Sequence, residues 1–141
     1  MAFAGISPIA ILTAAIAGWL TGAVWYGVLG KPWLAALGKT EEDIKKNQGT
    51  PAFYVPFMLA FVAAVVMAWV LAGMIGHLGP GQVTLRNGMI SAAFAWAGFV
   101  ATTILVNNAF GGRKFMLTLI DSGHWLAALL VMGAVIGFWG V

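Results

Sequence analysis

The sequence contains no cysteine and very few charged residues. Without cysteine, the chain can form neither disulfide bonds nor thiolate metal sites. Charged residues make up 8% of its 141 residues, against about 25% in an ordinary soluble domain. The acidic residues are only Glu41, Glu42, Asp43 and Asp121.

The scarcity of acids also argues against catalysis. Asp121 is the only acid outside the segment 41–43, so it has no second carboxylate with which to share acid–base chemistry. The sequence shows no nucleophile elbow and no phosphate-binding loop. Asp121 and His124 are too few to ligate a metal ion within one chain. We therefore predict a protein that is not an enzyme and that holds no metal and no cofactor.

Hydrophobic residues, by contrast, make up 62% of the chain, against roughly 45–50% in soluble domains. A soluble fold of this length could not bury so much apolar surface. Four apolar segments each approach the roughly 20 residues that cross a bilayer core; they cover residues 8–29, 52–76, 88–107 and 120–140. We predict an all-α membrane protein, a single integral membrane domain over residues 1–141 that forms a four-transmembrane-helix bundle in the lipid bilayer.

Basic residues are concentrated in the loops after the first and third predicted helices. These loops hold six of the seven basic residues, namely Lys31, Lys39, Lys45, Lys46, Arg113 and Lys114, and the second loop holds Arg86. The positive-inside rule then predicts that the first and third loops are cytoplasmic and that both termini lie outside. Because membrane topology accounts for the basic residues, nucleic acid is not predicted as a partner.

The long cytoplasmic loop between the first two helices is predicted to be amphipathic, with short helices over residues 32–37 and 41–48. Pro32 suits the first turn of the former helix, and Trp33 could lie in the headgroup zone. Thr40 and Asp43 have the spacing of a capping box for the latter. The loop is either a docking surface for a partner or for lipid headgroups, or a solvated linker. Charge runs usually face water, which favours the linker.

Small residues recur four apart in every predicted helix. Because small side chains let membrane helices approach closely, we predict that these stripes pack the bundle; they include Gly18 and Gly22, Ala68 and Ala72, Ala97 and Ala101, and Gly133 and Gly137. The alternative is that the stripe of Gly133 and Gly137 makes a contact between copies of the chain. Of the seven tryptophans, Trp25 and Trp33 are predicted to join an interfacial aromatic belt and Trp96 to fill the bundle.

Polar residues near the fourth predicted helix form the candidate site. Its members are Asp121, His124, Asn107, Asn108, Trp125, Thr103 and Tyr26. In one interpretation Asp121 lies at the cytoplasmic rim, in the first turn of its helix, where it accepts free backbone N–H groups and pairs with Arg113 or Lys114. In the other interpretation Asp121 and His124 are a working ionisable pair inside the bundle.

Three stretches of the sequence together resemble a known family. They are "GAVWYGVLGKPWLAALGKTEED", "MAWVLAG" and "WAGFVATTILVNNAFGGRKFMLTLIDSGHWLAALLVMGAVIG". They are similar to the bacterial membrane family called domain of unknown function 1761. The resemblance implies a small multi-pass protein, expected in a bacterial inner (cytoplasmic) membrane, and it brings no established activity or catalytic residue.

These features predict a non-enzymatic small integral membrane protein that is a homo-oligomeric or accessory component of a membrane complex. Its expected partner is a second copy or another membrane protein. The alternative is a small proton-linked transporter or channel that uses Asp121 and His124.

Overall fold

Helices make up most of residues 3–141, the part of the chain that a computed structural model describes. In chain order they are α1 (Pro8–Leu37), α2 (Glu41–Lys45), α3 (Pro51–Gly76), α4 (Leu85–Ala95), a π-helical segment (Trp96–Ala101), α5 (Thr102–Phe110) and α6 (Phe115–Trp139). The segments from α4 to α5 form one continuous helix, Leu85–Phe110, which we call the third long helix. Together with α1, α3 and α6 it gives four helices that are long and apolar enough to cross a membrane. The predicted all-helical class with four such helices is confirmed.

The first long helix does not break where the sequence predicts. We expected a membrane helix over 8–29 and a separate helix over 32–37, whereas α1 continues through Pro32 and ends at Leu37. A proline inside a membrane helix is tolerated because neighbouring groups satisfy the backbone that it frees. The helix stops at Gly38, whose φ of 70° is left-handed. The Gly38 N–H donates to Ala35 and the Lys39 N–H to Leu34, which closes the helix with a Schellman motif.

The loop helix α2 is shorter than the predicted 41–48 and ends at Lys45. The predicted capping box is present. The Thr40 hydroxyl accepts from the Asp43 N–H, and the Asp43 carboxylate accepts from the Thr40 N–H at 2.9 Å. These two hydrogen bonds satisfy backbone donors that would otherwise be free at the helix start.

Helix α6 is central in the packing, with its largest interfaces against α1 and α4 and a smaller one against α3. The α4–α6 contact brings backbone against backbone. A Cβ atom added at Gly88 would lie 2.0 Å from the Gly133 carbonyl oxygen, and one added at Gly137 would lie 2.2 Å from the Thr84 carbonyl oxygen. Gly133 and Gly137 therefore face α4 of the same chain, as small residues at helix contacts do.

Other predicted packing residues divide into two groups. Gly18 packs against Met132 of α6, and Ala68 and Ala72 are fully buried in α3. Ala97, however, is exposed, and Ala101 is only half-buried. The face of the third long helix that meets α6 instead carries Gly88 and Ala92, which are buried, and Trp96. The predicted stripe is one residue out of phase with this face. In a helix rich in alanine and glycine, a spacing of four fits both faces equally well.

The two ends of the molecule differ. The terminal end holds residues 3–7, 77–84 and 140–141, where the Ser7 N–H donates to the Gly140 carbonyl at 2.8 Å. The basic end holds the segments 38–50 and 111–114. Helix α3 buries residues only between Ala64 and Gly76, in the half near the terminal end. The half of α3 near the basic end buries no residue, although its Phe57 carbonyl accepts the Trp19 indole N–H of α1.

Candidate functional site

Asp121 lies inside α6 and does not cap it. Helix α6 begins at Phe115, with Lys114 as the N-cap residue and no acid in its first turn. Six residues further along, Asp121 is about 9 Å from the helix start at the ordinary rise per residue. The expectation that Asp121 caps the first turn of its helix is therefore wrong, and α6 extends five residues before the predicted span of residues 120–140. A count of about 20 residues per span is equally compatible with a longer helix when that helix is tilted.

Two aromatic side chains of α1 bind the Asp121 carboxylate. The Tyr26 hydroxyl donates to Oδ1 at 2.6 Å, and the Trp33 indole N–H donates to the same oxygen at 3.1 Å. Tyr26 and Trp33 are seven residues apart, so they lie on one face of α1. Their rings meet edge to face at 5.3 Å between centroids. The carboxylate thus has aromatic donors from α1 as its hydrogen-bond partners among the described residues, and the predicted pairing with Arg113 or Lys114 is not seen there.

Two further indoles donate to backbone carbonyls beside Asp121. The Trp25 N–H donates to the Ile120 carbonyl at 3.0 Å, and the Trp96 N–H donates to the Ser122 carbonyl at 2.7 Å. Gly123 makes room for the first of these, because a Cβ atom there would lie 2.8 Å from the Trp25 ring. The segment Ile120–Gly123 is therefore held by α1 on one side and by the third long helix on the other.

These tryptophans are the site residues that sequence reasoning missed. Trp25 and Trp33 were expected in an aromatic belt and Trp96 as filling, whereas all three donate hydrogen bonds to α6. Buried indole N–H groups need an acceptor. The four long helices hold one carboxylate and few other polar groups, so the acceptors of these indole N–H groups had to lie near Asp121 or on free backbone carbonyls. This need for an acceptor is the signal by which the sequence could have identified the three tryptophans.

His124 is buried, with 8% of its surface exposed, one turn beyond Asp121. Its Nε2 faces Gly22 of α1, where an added Cβ atom would lie 2.7 Å away. Its ring lies 5.0 Å from the Tyr26 ring and 4.5 Å from the Trp125 ring, between centroids. Tyr26, His124 and Trp125 are thus the predicted members that lie beside Asp121.

The Nδ1 atom of His124 has no hydrogen-bond partner among the described residues. The other histidine of the chain shows what is missing. In His77, Nδ1 pairs with the Gly73 carbonyl, four residues earlier, at 2.7 Å. For His124 the equivalent carbonyl belongs to Ile120 and accepts the Trp25 indole instead. A buried, unpaired ring nitrogen is rare and calls for an explanation.

The remaining predicted members lie elsewhere. The Asn108 amide donates to the Thr118 hydroxyl at 3.0 Å and so joins α5 to α6. Asn107 and Thr103 are exposed, and the Thr103 hydroxyl donates to Phe99 of its own helix. Consecutive helical residues point about 100° apart, so Asn107 and Asn108 cannot both face α6. Between residues 3 and 141 no three metal-ligating side chains come together.

The fold and this site define a class: an all-helical protein with four helices long and apolar enough to cross a membrane, whose first and last long helices are joined by a carboxylate and aromatic hydrogen-bond donors. A family model described as "Protein of unknown function (DUF1761)" matches residues 9–137. The chain belongs to this family, as the resemblance implied. Searches of curated proteins and of solved structures gave no match.

Proposed function

We propose that this chain is a non-enzymatic membrane protein that works as a homo-oligomeric component of a membrane assembly. The observation that supports this proposal is the unburied half of the third long helix. From Trp96 to Phe110 no residue is buried, and of the four long helices this one has the smallest buried share. A helix segment with so little cover within its own chain is available to a second chain.

The composition of this exposed face suits contact with another helix. Ala97, Gly98, Thr102 and Thr103 are all exposed, and a Cβ atom added at Gly98 would meet nothing within 4 Å. In lipid, helices associate through small residues that allow close approach and through side-chain hydrogen bonds. We call Ala97, Gly98, Ala101 and Thr102 the small face.

Because the chain contains no cysteine, a single introduced cysteine is its only thiol and can report contact between two copies. A single Thr102→Cys substitution would place one thiol on the small face. Val62→Cys, at an exposed position of α3, is the matched control. In native membranes treated with a mild oxidant, we expect a disulfide-linked dimer for Thr102→Cys and little for Val62→Cys. Equal cross-linking of the two variants, or none for Thr102→Cys, would contradict the proposal.

A bulkier residue provides a second test. Gly98→Leu adds a side chain that has room within one chain but would separate two chains packed at this face. We expect Gly98→Leu to reduce the dimer fraction in lipid nanodiscs without lowering the thermal midpoint of the monomer. A dimer fraction unchanged by Gly98→Leu would remove the small face from the interface.

The transporter alternative gains less support from this geometry. Thr118 and His124 are the buried polar side chains of the described residues. Proton transfer across the bundle needs a chain of ionisable or hydrated groups, and beyond His124 the core is built of apolar residues such as Leu129, Met132 and Ile136. The hydrogen bonds of Asp121 favour a role in holding α1 against α6 over a role in conducting protons.

For localisation we propose a bacterial inner membrane, with the basic end in the cytoplasm and both termini outside. Six of the seven basic residues lie at or beside the basic end, which is the distribution of cytoplasmic loops. The test is labelling of a single introduced cysteine by a membrane-impermeant maleimide added to intact cells. Labelling at Gln82→Cys but not at Asn47→Cys is expected, and the reverse would invert the orientation.

A further inference from the structure

A cavity of about 350 Å³ lies beside the polar site, between α1, α2 and α3. It exists because the half of α3 near the basic end is not packed into the core. Ile44 of α2 and Asn47 line it at the basic end, and Ile44 is the one residue of α2 that is not exposed. This volume is within the range of small-molecule sites in proteins, about 300–1,000 Å³.

Four aromatic side chains line this cavity: Tyr26 and Trp33 from α1, and Phe53 and Phe57 from α3. The rings of Phe53 and Phe57 lie 5.5 Å apart between centroids, and those of Tyr26 and Trp33 lie 5.3 Å apart. Each helix therefore contributes a pair of rings to the wall. Several aromatic rings around one space are the arrangement that recognises organic cations through the negative faces of the rings.

The distribution of charge around the cavity also favours a cation. Both rings from α1 donate hydrogen bonds to Asp121, the only acid in the four long helices. Donation to a carboxylate polarises the donor and raises the electron density of its ring. None of the described lining residues is charged, and the lysines of the basic end are exposed to solvent, where ions screen them.

We propose that this cavity binds a small organic cation of the quaternary ammonium class, held by the four aromatic rings and by the charge of Asp121. The proposal is independent of oligomer formation, because the small face lies on the third long helix and does not line the cavity. It also gives the half-buried carboxylate of Asp121 a use beyond joining α1 to α6.

The test is equilibrium dialysis of radiolabelled benzyltrimethylammonium against the full-length protein in a neutral maltoside detergent. Choline and 3,3-dimethylbutan-1-ol, which have the same shape but differ in charge, serve as competitors. We expect saturable binding that choline displaces and that the neutral alcohol does not. Benzenesulfonate should not compete. Phosphatidylcholine added to the micelles reports whether a lipid headgroup supplies the same chemical group.

Two variants connect binding to the residues. Phe53→Leu removes a ring and keeps an apolar side chain, and we expect it to weaken binding about two- to thirtyfold, the range of a single cation–π contact. Asp121→Asn removes the charge and keeps an acceptor oxygen, and we expect a loss at least as large. Phe99→Leu, at an exposed ring on the third long helix, is the matched control and should bind as the unsubstituted protein does.

Three results would overturn the proposal. They are no saturable binding, displacement by the neutral alcohol as effective as by choline, and unchanged binding in both Phe53→Leu and Asp121→Asn. Gel filtration and the thermal midpoint of each variant show whether it is folded. If Asp121→Asn does not fold, Phe53→Leu alone decides, because it leaves the hydrogen bonds of Asp121 in place.

Discussion

Replacing Gly133 by alanine is the sharpest test of the helix packing described above. A Cβ atom at this position would lie 2.3 Å from the Gly88 carbonyl oxygen, whereas ordinary contact begins at 3.4 Å. The neighbouring atoms are backbone and cannot rotate away, so α4 and α6 would have to separate by about 1 Å. This separation would loosen one of the two largest interfaces of the molecule.

The expected magnitude follows from two opposing effects. Forcing a methyl group into a close-packed contact costs about 1–3 kcal/mol. Alanine is the better helix former by roughly 0.5–1 kcal/mol, which offsets part of that cost. Because the neighbouring atoms are backbone, the cost should lie in the upper part of that range, about 2–3 kcal/mol, so we expect Gly133→Ala to lower the free energy of unfolding by about 1–2.5 kcal/mol.

Gly27→Ala, at an exposed position of α1, is the matched control, because the same substitution there meets nothing within 4 Å. It should leave the free energy of unfolding unchanged or raise it slightly. Both variants would be measured by reversible unfolding in mixed micelles with increasing sodium dodecyl sulfate, followed by circular dichroism. If Gly133→Ala were as stable as the unsubstituted protein, or if the two variants lost equal stability, the close α4–α6 contact would be refuted.

Two further predictions concern single hydrogen-bonded groups. A double-mutant cycle of Tyr26→Phe and Asp121→Ala, measured by the same unfolding assay, should give a coupling energy of about 1–3 kcal/mol, because a hydrogen bond to a charged group joins the two side chains; additive effects would show that this bond does not stabilise the fold. In the loop, the pKa of Asp43 is lowered below its ordinary value of 3.8, mainly by the hydrogen bond from the Thr40 backbone N–H and to a smaller extent by the hydrogen bond with the Thr40 side chain. Because the pKa is lower in the folded state, the cap stabilises α2 above the ordinary pKa and is lost as pH falls through the folded one. Hydrogen-exchange protection of α2 amides should therefore decrease below about pH 4 while that of α3 persists, and Asp43→Ala should show the low protection at every pH; unchanged protection on acidification would contradict this.

The sequence predicted the polar site in part. The position of Asp121 and His124 in one apolar run was enough to bring them together, since residues three apart share a helix face. Tyr26 was expected among their neighbours and does donate to Asp121. Asn107 and Asn108 were both expected in the site, and of the two only Asn108 bonds to α6, because a helix pattern cannot tell which of two consecutive polar residues faces a neighbour.

The start of α6 illustrates a second limit. An aspartate and a serine at residues 121 and 122 look like the polar edge of a membrane helix, but the chain forms five further residues of helix before residue 120, from Phe115. Those residues are mostly apolar and fit a longer, tilted helix equally well. Only the hydrogen bonds from Tyr26 and Trp33 show that Asp121 has partners inside the molecule.

By itself, the sequence determined the class of the protein, the number of long helices, the asymmetry of its basic residues and the capping box of the loop. These properties follow from composition and from spacing along one chain, where lipid requires apolar runs and a free helix start requires an acceptor. Tertiary structure alone decided which stripe of small residues packs, where the indole N–H groups of Trp25, Trp33 and Trp96 donate, and that a cavity lies beside the rings that bind Asp121. Those outcomes depend on how whole helices are rotated and how far apart they lie. The close contact of glycine backbones between α4 and α6 sets this arrangement, and no local sequence pattern encodes it.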